Sequence, residues 1–242
     1  MSVAINQIIT VTGNKQLNFQ PKFPVNENTT VELRAEFQSI GKINSKIYFG
    51  LHCFTEEGTE ILCQHIFRTK ESLLITSKNN DMTNFTLEKK PETWNNSIQT
   101  YDEKNNKLIG LYFDGNIDRL PDYLIQSPAY KTYEDNNILL NKAIPKEIYD
   151  KIIPFKTRIM NHYDSNTYDY SAACNASVDK QWTKFEAIYN GFSNGYGDIK
   201  GKFRLGTKVI SPFILANYAQ DSDAILEIKN IEIIVKDKPK LI

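Results

Sequence analysis

The closing stretch of the chain, "DAILEIKNIEIIVKD" (Asp223 to Asp237), decides the fold. It is rich in β-branched residues, holds neither Gly nor Pro, and has the length of a long strand. Neither alternating set of side chains is cleanly apolar: one set is Ile225, Glu227, Lys229, Ile231, Ile233, and the other is Leu226, Ile228, Asn230, Glu232, Ile234. Because chain ends fray unless a sheet holds them, the stretch predicts a strand that closes a sheet.

The composition is that of a packed globule without net charge. The 242 residues are 40% hydrophobic and hold 29 basic and 29 acidic side chains. Balanced charge provides no field that draws a protein onto nucleic acid, and no run approaches the roughly 18 apolar residues of a membrane span. We therefore expect no nucleic-acid partner and no membrane span. The start "MSVAINQIITVTG" lacks the features of a secretion signal, so a soluble chain is expected.

Most of the chain predicts strands. "TVELRAEFQS" (30 to 39) alternates apolar and polar residues, and the stretch 46 to 67 predicts a hairpin around "TEEGTE". The stretch "IPKEIYDKII" (144 to 153) predicts a helix, with Ile144, Ile148 and Ile152 on one stripe. Further strands are predicted at 85 to 89, 108 to 113, 183 to 189 and 207 to 215. The fold class predicted is an all-β sandwich with one short helix.

The chain shows no internal repeat and no Gly/Ser-rich or Pro-rich linker. We therefore predict a single domain over residues 1 to 242. The segment from about 114 to 165 is richer in Tyr, Asn, Asp and Pro and poorer in predicted strands. It is interpreted as a long excursion between strands of the sandwich, and loops of that length usually carry function or pack on their own side chains.

Three segments together resemble the galactose-binding-like jelly roll of many carbohydrate-binding modules. They are "VELRAEFQSIGKINSKIYFGLHCFTEEGTEI", "KQWTKFEAIYNGF" and "KFRLGTKVISPFILANYAQDSDAILEIKNIEIIV". The resemblance covers about half of the chain. The family's strands fall on Val31 to Phe37, Tyr48 to Ile61, Trp182 to Ile188, Val209 to Tyr218 and Ile225 to Val235.

The resemblance implies that the last strand pairs beside the first, so that each terminus holds the other. It also implies that Trp182 packs in the core. The closing strand of the family often carries an Asp that helps to hold a structural calcium. This chain has Lys229 there, and the excursion at 114 to 165 is longer than the family's loop.

A second calcium hypothesis comes from "FDGNIDRLPDY", which places Asp114, Asn116 and Asp118 at alternate positions. This copies the first half of a calcium loop. Arg119 stands where an EF-hand needs Gly, and Ile125 stands where it needs Glu, so an EF-hand is excluded. Two interpretations stay open: a calcium site of another kind that also uses Asp122, or a turn held by its own Asx side chains.

Aromatic residues among polar neighbours are the remaining signal. The stretch "YDSNTYDYSAACN" sets Tyr163, Tyr168 and Tyr170 among Asp and Asn, and Trp94 and Tyr196 are added as candidate ligand-binding residues. Sugars suit this combination, because their C–H faces stack on rings and their hydroxyls need amides and carboxylates. Protein interfaces use the same side chains, and the sequence does not separate the two.

We therefore expect a non-catalytic module that binds a carbohydrate through aromatic and amide side chains. The alternative is a structural jelly roll, a subunit or appendage of a virion or other large particle, which acts through protein contacts and forms a homo-oligomer. No enzymatic activity is expected, because the sequence does not reveal the paired acids or the Tyr/His/Arg cluster of glycosidase and lyase jelly rolls. No cofactor is expected beyond the calcium considered above.

Overall fold

A computed structural model describes residues 1–94, 108–126, 129–163, 174–193 and 201–237. The regular secondary structure of these residues is almost entirely β-strand, with two single-turn helices, α1 Cys63–Ile66 and α2 Lys146–Tyr149. The strands are β1 Ser2–Ile5, β2 Ile9–Thr12, β3 Lys15–Asn18, β4 Phe23–Pro24, β5 Thr29–Ser39, β6 Ser45–Phe54, β7 Arg68–Lys78, β8 Asn84–Leu87, β9 Leu108–Tyr112, β10 Tyr123–Ile125, β11 Tyr130–Glu134, β12 Asn137–Leu140, β13 Arg158–His162, β14 Cys174–Val178, β15 Thr183–Asn190, β16 Val209–Ala216 and β17 Ile225–Asp237.

The chain forms two compact units. The first, here called the roll unit, comprises Met1–Ile61, Asp169–Ser193 and Asp198–Ile242. The second, the inserted unit, comprises Leu62–Tyr168 and Asn194–Gly197, and in the sequence it falls mainly between β6 and β14. The prediction of a single domain with an excursion at about 114 to 165 stays a prediction.

The roll unit is a sandwich of two antiparallel sheets. One sheet has the order β1-β17-β5-β15 with β2 also on β17, and the other has β14-β6-β16-β3 with β4 on β16. Pairing is nested: β2 pairs β17, β3 pairs β16, β5 pairs β15 and β6 pairs β14. This is one long hairpin rolled up into two sheets, which is the jelly roll. The fold class predicted from the sequence is therefore confirmed.

The core of the roll unit lies between the inward faces of its sheets. Along β5, Val31, Leu33, Ala35 and Phe37 are buried and the residues between them are partly exposed. The rings of Phe37 on β5 and Phe49 on β6 meet edge to face, with centroids 5.9 Å apart. The alternation in "TVELRAEFQS" thus places one face of β5 in the core, as predicted.

The closing strand β17 lies between β5 and the N-terminal strands. It pairs with β1 over Ile231 to Ile234 and with β2 over Ile225 to Ile228. The amide of Val235 also donates to the carbonyl of Met1 at 2.8 Å. The prediction that the last strand lies beside the first is confirmed, and the pairing ties both ends of the chain into one sheet.

The inserted unit contains a seven-stranded sheet in the order β10-β9-β13-β7-β8-β12-β11. Its core includes Leu73, Phe85, Leu111 and Ile159, all at most 1% exposed. The predicted excursion is therefore richer in strands than its sequence suggested, because four of these strands fall between residues 123 and 162.

Three local predictions need correction. The prediction that the second strand of the hairpin runs on to residue 67 is wrong, because Cys63–Ile66 forms a helical turn and the next strand, β7, begins at Arg68. The helix predicted at 144 to 153 is only Lys146–Tyr149, although Ile144 and Ile152 are buried and Ile148 packs against them. Trp182 is partly exposed rather than in the core, with the ammonium of Lys229 3.9 Å from its ring centroid.

Candidate functional site

The acidic loop after β9 is organised by an arginine. Asp114 accepts the amide of Asn116 at 2.9 Å, and Asn116 accepts the amide of Asp118 at 2.9 Å. The guanidinium of Arg119 donates to both carboxylate oxygens of Asp122 at 2.7 Å and to Asp114 at 2.8 Å. The loop thus contains the Asx hydrogen bonds of the turn that the sequence analysis considered.

Arg119 offsets part of the negative charge of this loop, which holds three aspartates. The amide of Asn116 and then the guanidinium of Arg119 lower the pKa of Asp114, while the hydrogen bond to Asp122 raises the pKa of Arg119. In the described ranges, no three or more His, Cys, Asp or Glu side chains gather as a metal site would require. Calcium at Asp114, Asn116 and Asp118 stays a prediction, and it would compete with Arg119 for the carboxylate of Asp114.

The predicted ligand-binding aromatics have different environments. Trp94 is 1% exposed and packs near Tyr130, with ring centroids 6.0 Å apart. It is a core residue, so its assignment to a binding surface is corrected. Tyr163 is half-buried and stacks on Phe67, with centroids 5.6 Å apart. Tyr168, Tyr170 and Tyr196 lie outside the described residues, and their roles stay predictions.

A groove of about 630 Å³ lies in the inserted unit. Residues 123–126 and Ala129 line one side, and residues 141–145 line the other. Strand β10 is held by pairing of Tyr123 with Leu111. The backbone amide of Asn141 donates to the carbonyl of Ala129 at 3.0 Å. The volume lies within the range of about 300 to 1,000 Å³ that is usual for small-molecule sites.

The groove combines an apolar floor with polar side chains at its rim. Ile144 is buried in the floor, and Tyr123 is half-buried beside it. Gln126 and Lys142 are exposed, and in the part of the chain that the structure describes their side chains make no hydrogen bond or ion pair. The sequence analysis missed these residues, although its excursion at 114 to 165 contains all of them. The enrichment in Tyr and Asn was the signal that could have identified them.

The structure also brings together a Tyr/His/Arg set that the sequence did not reveal. The hydroxyl of Tyr112 lies 3.0 Å from Nε2 of His162 and accepts from Arg68 at 3.0 Å. Arg68 also donates to the carbonyl of Ile117. The three side chains are 0 to 4% exposed, so this set is a buried network between β7, β9 and β13 rather than an open cleft.

A second polar cluster lies on the outer face of the roll unit, where β3 and β6 flank β16. Nδ1 of His52 lies 2.7 Å from Glu60, and Nε2 lies 3.1 Å from the amide nitrogen of Gln16. The Gln16 amide donates to Asn18 at 2.8 Å, and the His52 ring lies over Phe213 at 4.4 Å. These polar groups largely satisfy one another, which leaves fewer donors and acceptors for a ligand than the groove offers.

Comparison with known proteins gives little guidance. No family model and no curated protein matches the chain. One solved structure, from the Gt strain of infectious bursal disease virus, aligns with 100% of this chain and 41% of its own chain, at 8% identity and a TM-score of 0.20. That TM-score is too low to support an argument about fold or function. None of the helices in the described ranges has the length and apolar character needed to cross a membrane.

Proposed function

We propose that the protein is a non-catalytic binding module that holds a carbohydrate in the groove of the inserted unit. The observation that supports this proposal is that Tyr123, Gln126 and Lys142 line one groove. Among the described residues, the side chains of Gln126 and Lys142 have no hydrogen-bond or ion-pair partner. A ring can stack on the C–H face of a sugar, while an amide both donates to and accepts from hydroxyls. Asn141 adds a second side-chain amide to the lining of the groove.

Screening the full chain on a glycan array, followed by calorimetric titration of the best ligand, tests the proposal. Gln126→Ala and Lys142→Ala should each weaken binding several-fold to tenfold, because each removes one or more hydrogen bonds to the ligand. Lys146→Ala is the matched control, since this lysine is exposed outside the groove and pairs with Asp150 at 2.7 Å. Glycan binding that survives both groove substitutions would refute the groove as the site.

A structural role in a large assembly is the second proposal. It is supported by the nested strand order of the roll unit, because two-sheet jelly rolls of this kind build both capsid and lectin domains. Size measurement under native conditions discriminates between the two. A monomer that binds a glycan supports the binding module, whereas a stable high-order oligomer without glycan binding supports the assembly subunit.

A further inference from the structure

A hydrogen-bonded turn in the inserted unit presents an aromatic side chain to solvent. The amide of Lys156 donates to the carbonyl of Ile153 at 3.1 Å, which closes a β-turn with Pro154 and Phe155 at its centre. Phe155 has φ of 60°, and a positive φ after Pro is the geometry for which β-turns favour Gly. A bulky residue in this conformation is strained.

Hydrogen bonds on both sides hold the turn in this conformation. The amide of Phe155 donates to the carbonyl of Ile75 at 2.8 Å, and the amide of Ile75 donates to the carbonyl of Thr157 at 3.0 Å. The buried hydroxyl of Thr157 accepts the amide of Ile153 at 2.9 Å. The Phe155 ring is nevertheless 74% exposed, so core packing does not explain a Phe at a position suited to Gly.

The tip is apolar and carries positive charge at its base. Ile153 is 49% exposed next to Phe155, and the exposed lysines Lys151 and Lys156 flank the turn. Two carboxylates near the turn have cation partners of their own, because Asp150 pairs with Lys146 at 2.7 Å and Asp114 pairs with Arg119 at 2.8 Å. Neither Lys151 nor Lys156 has a carboxylate partner within the described residues. From residue 146 to 158 the sequence holds four cationic and two acidic side chains.

We propose that the Ile153–Phe155 tip is an anchor that inserts into the interface of an anionic lipid surface. A projecting apolar tip needs no complementary pocket in a fluid interface, and flanking lysines are attracted to anionic headgroups. A preformed turn reduces the ordering cost of binding. This function is independent of the groove and therefore of the carbohydrate proposal.

Co-sedimentation of the full chain with phosphatidylcholine vesicles, with and without phosphatidylserine, tests the anchor. The decisive variant is Phe155→Gly, which removes the ring and relieves the strain. It should bind phosphatidylserine vesicles about tenfold or more weakly, as expected for the loss of one buried aromatic side chain, while Tm rises by about 2 to 4 °C. The double variant Lys151→Gln with Lys156→Gln should also bind more weakly and lose most of the salt dependence of binding.

The matched control is Ile188→Ser, which removes a 57% exposed isoleucine from the roll unit and should leave vesicle binding unchanged. Equal binding of the wild-type chain and Phe155→Gly would overturn the proposal, as would wild-type binding no stronger to phosphatidylserine vesicles than to phosphatidylcholine alone. Loss of self-association in Phe155→Gly, without vesicle binding by the wild type, would assign the tip to a protein interface and would also overturn the lipid proposal.

Discussion

Ile228 and Ile231 both point into the core of the roll unit, although strict alternation along a strand would place them on opposite faces. Asn230 between them has φ of 50°, and the pairing of β17 with β5 shifts register between Lys229 and Glu232. This β-bulge adds one residue to the strand. The inward-facing residues therefore change from one alternating set to the other at the bulge: Leu226 and Ile228 lie before it, and Ile231 and Ile233 lie after it. This explains why neither alternating set in the sequence is cleanly apolar.

The bulge makes Asn230 a sensitive position. Asn230→Val should lower the free energy of unfolding by about 1 to 3 kcal/mol, because a β-branched residue is strained at positive φ and the 2.8 Å hydrogen bond from Asn230 to Glu36 is lost. Asn230→Gly accepts the same φ and should cost less. Denaturation in urea checks both, and equal stability of the Val and Gly variants would contradict a conformational role.

Truncation at Asp223 should prevent folding. It removes the whole of β17, and each buried Ile, Leu or Val side chain in this strand contributes about 1.5 to 3 kcal/mol, against a total stability of roughly 5 to 15 kcal/mol. The buried side chains are those of Leu226, Ile228, Ile231, Ile233 and Val235.

Removal of residues 238–242 alone is the control for this truncation and should be nearly silent, because it leaves intact every pairing of β17 among the described residues. Circular dichroism and thermal melts compare the two shortened chains directly. A soluble fragment of residues 1 to 222 that melts cooperatively would contradict the nested pairing.

Glu71 should give the inserted unit an acid-sensitive stability. Burial acts to raise the pKa of Glu71, but hydrogen bonds from the amides of Thr93 and Glu92, both at 2.9 Å, outweigh it and lower the pKa below its ordinary value. The stabilisation is therefore complete above the ordinary carboxyl pKa and is lost as the pH falls through the lowered value.

Glu71→Gln should destabilise the protein at neutral pH, and the difference from wild type should shrink as the pH falls below about 4. Urea denaturation at a series of pH values measures this difference. Glu134→Gln, at an exposed carboxylate of β11, is the control and should change stability little at any pH. A Glu71→Gln effect that stays constant down to acid pH would show that its carboxylate charge is not involved.

Lys142 should make the groove prefer acidic sugars. It is the only charged residue among the described residues that line the groove. Lys142→Gln should therefore weaken binding of a glycan that carries a carboxylate more than binding of its neutral analogue, by several-fold. Because Lys142 is exposed, Tm should be nearly unchanged. If calorimetry shows that Lys142→Gln weakens binding of the two glycans equally, the charge of Lys142 is not the basis of selectivity.

The sequence by itself determined the strand-rich character of the chain and the role of its end. The alternation in "TVELRAEFQS" and the β-branched closing stretch are local patterns, and such patterns report directly which side chains a strand can bury. The positions of β5, β15, β16 and β17 therefore agree with those predicted. The turn at the acidic loop was one of the two interpretations that the sequence left open, since Asx hydrogen bonds form between near neighbours in sequence.

Only the tertiary structure decided where the chain changes face and which side chains share a site. The bulge at Asn230 follows from pairing with β5, and the burial of Trp94 follows from packing in the inserted unit. The groove joins β10 to residues 141–145, and the turn that exposes Phe155 is held by the hydrogen bond from its amide to the carbonyl of Ile75. Each of these features depends on contacts between segments that are distant along the chain. Such contacts produce no periodic pattern in the sequence of either segment, so the sequence alone does not predict them.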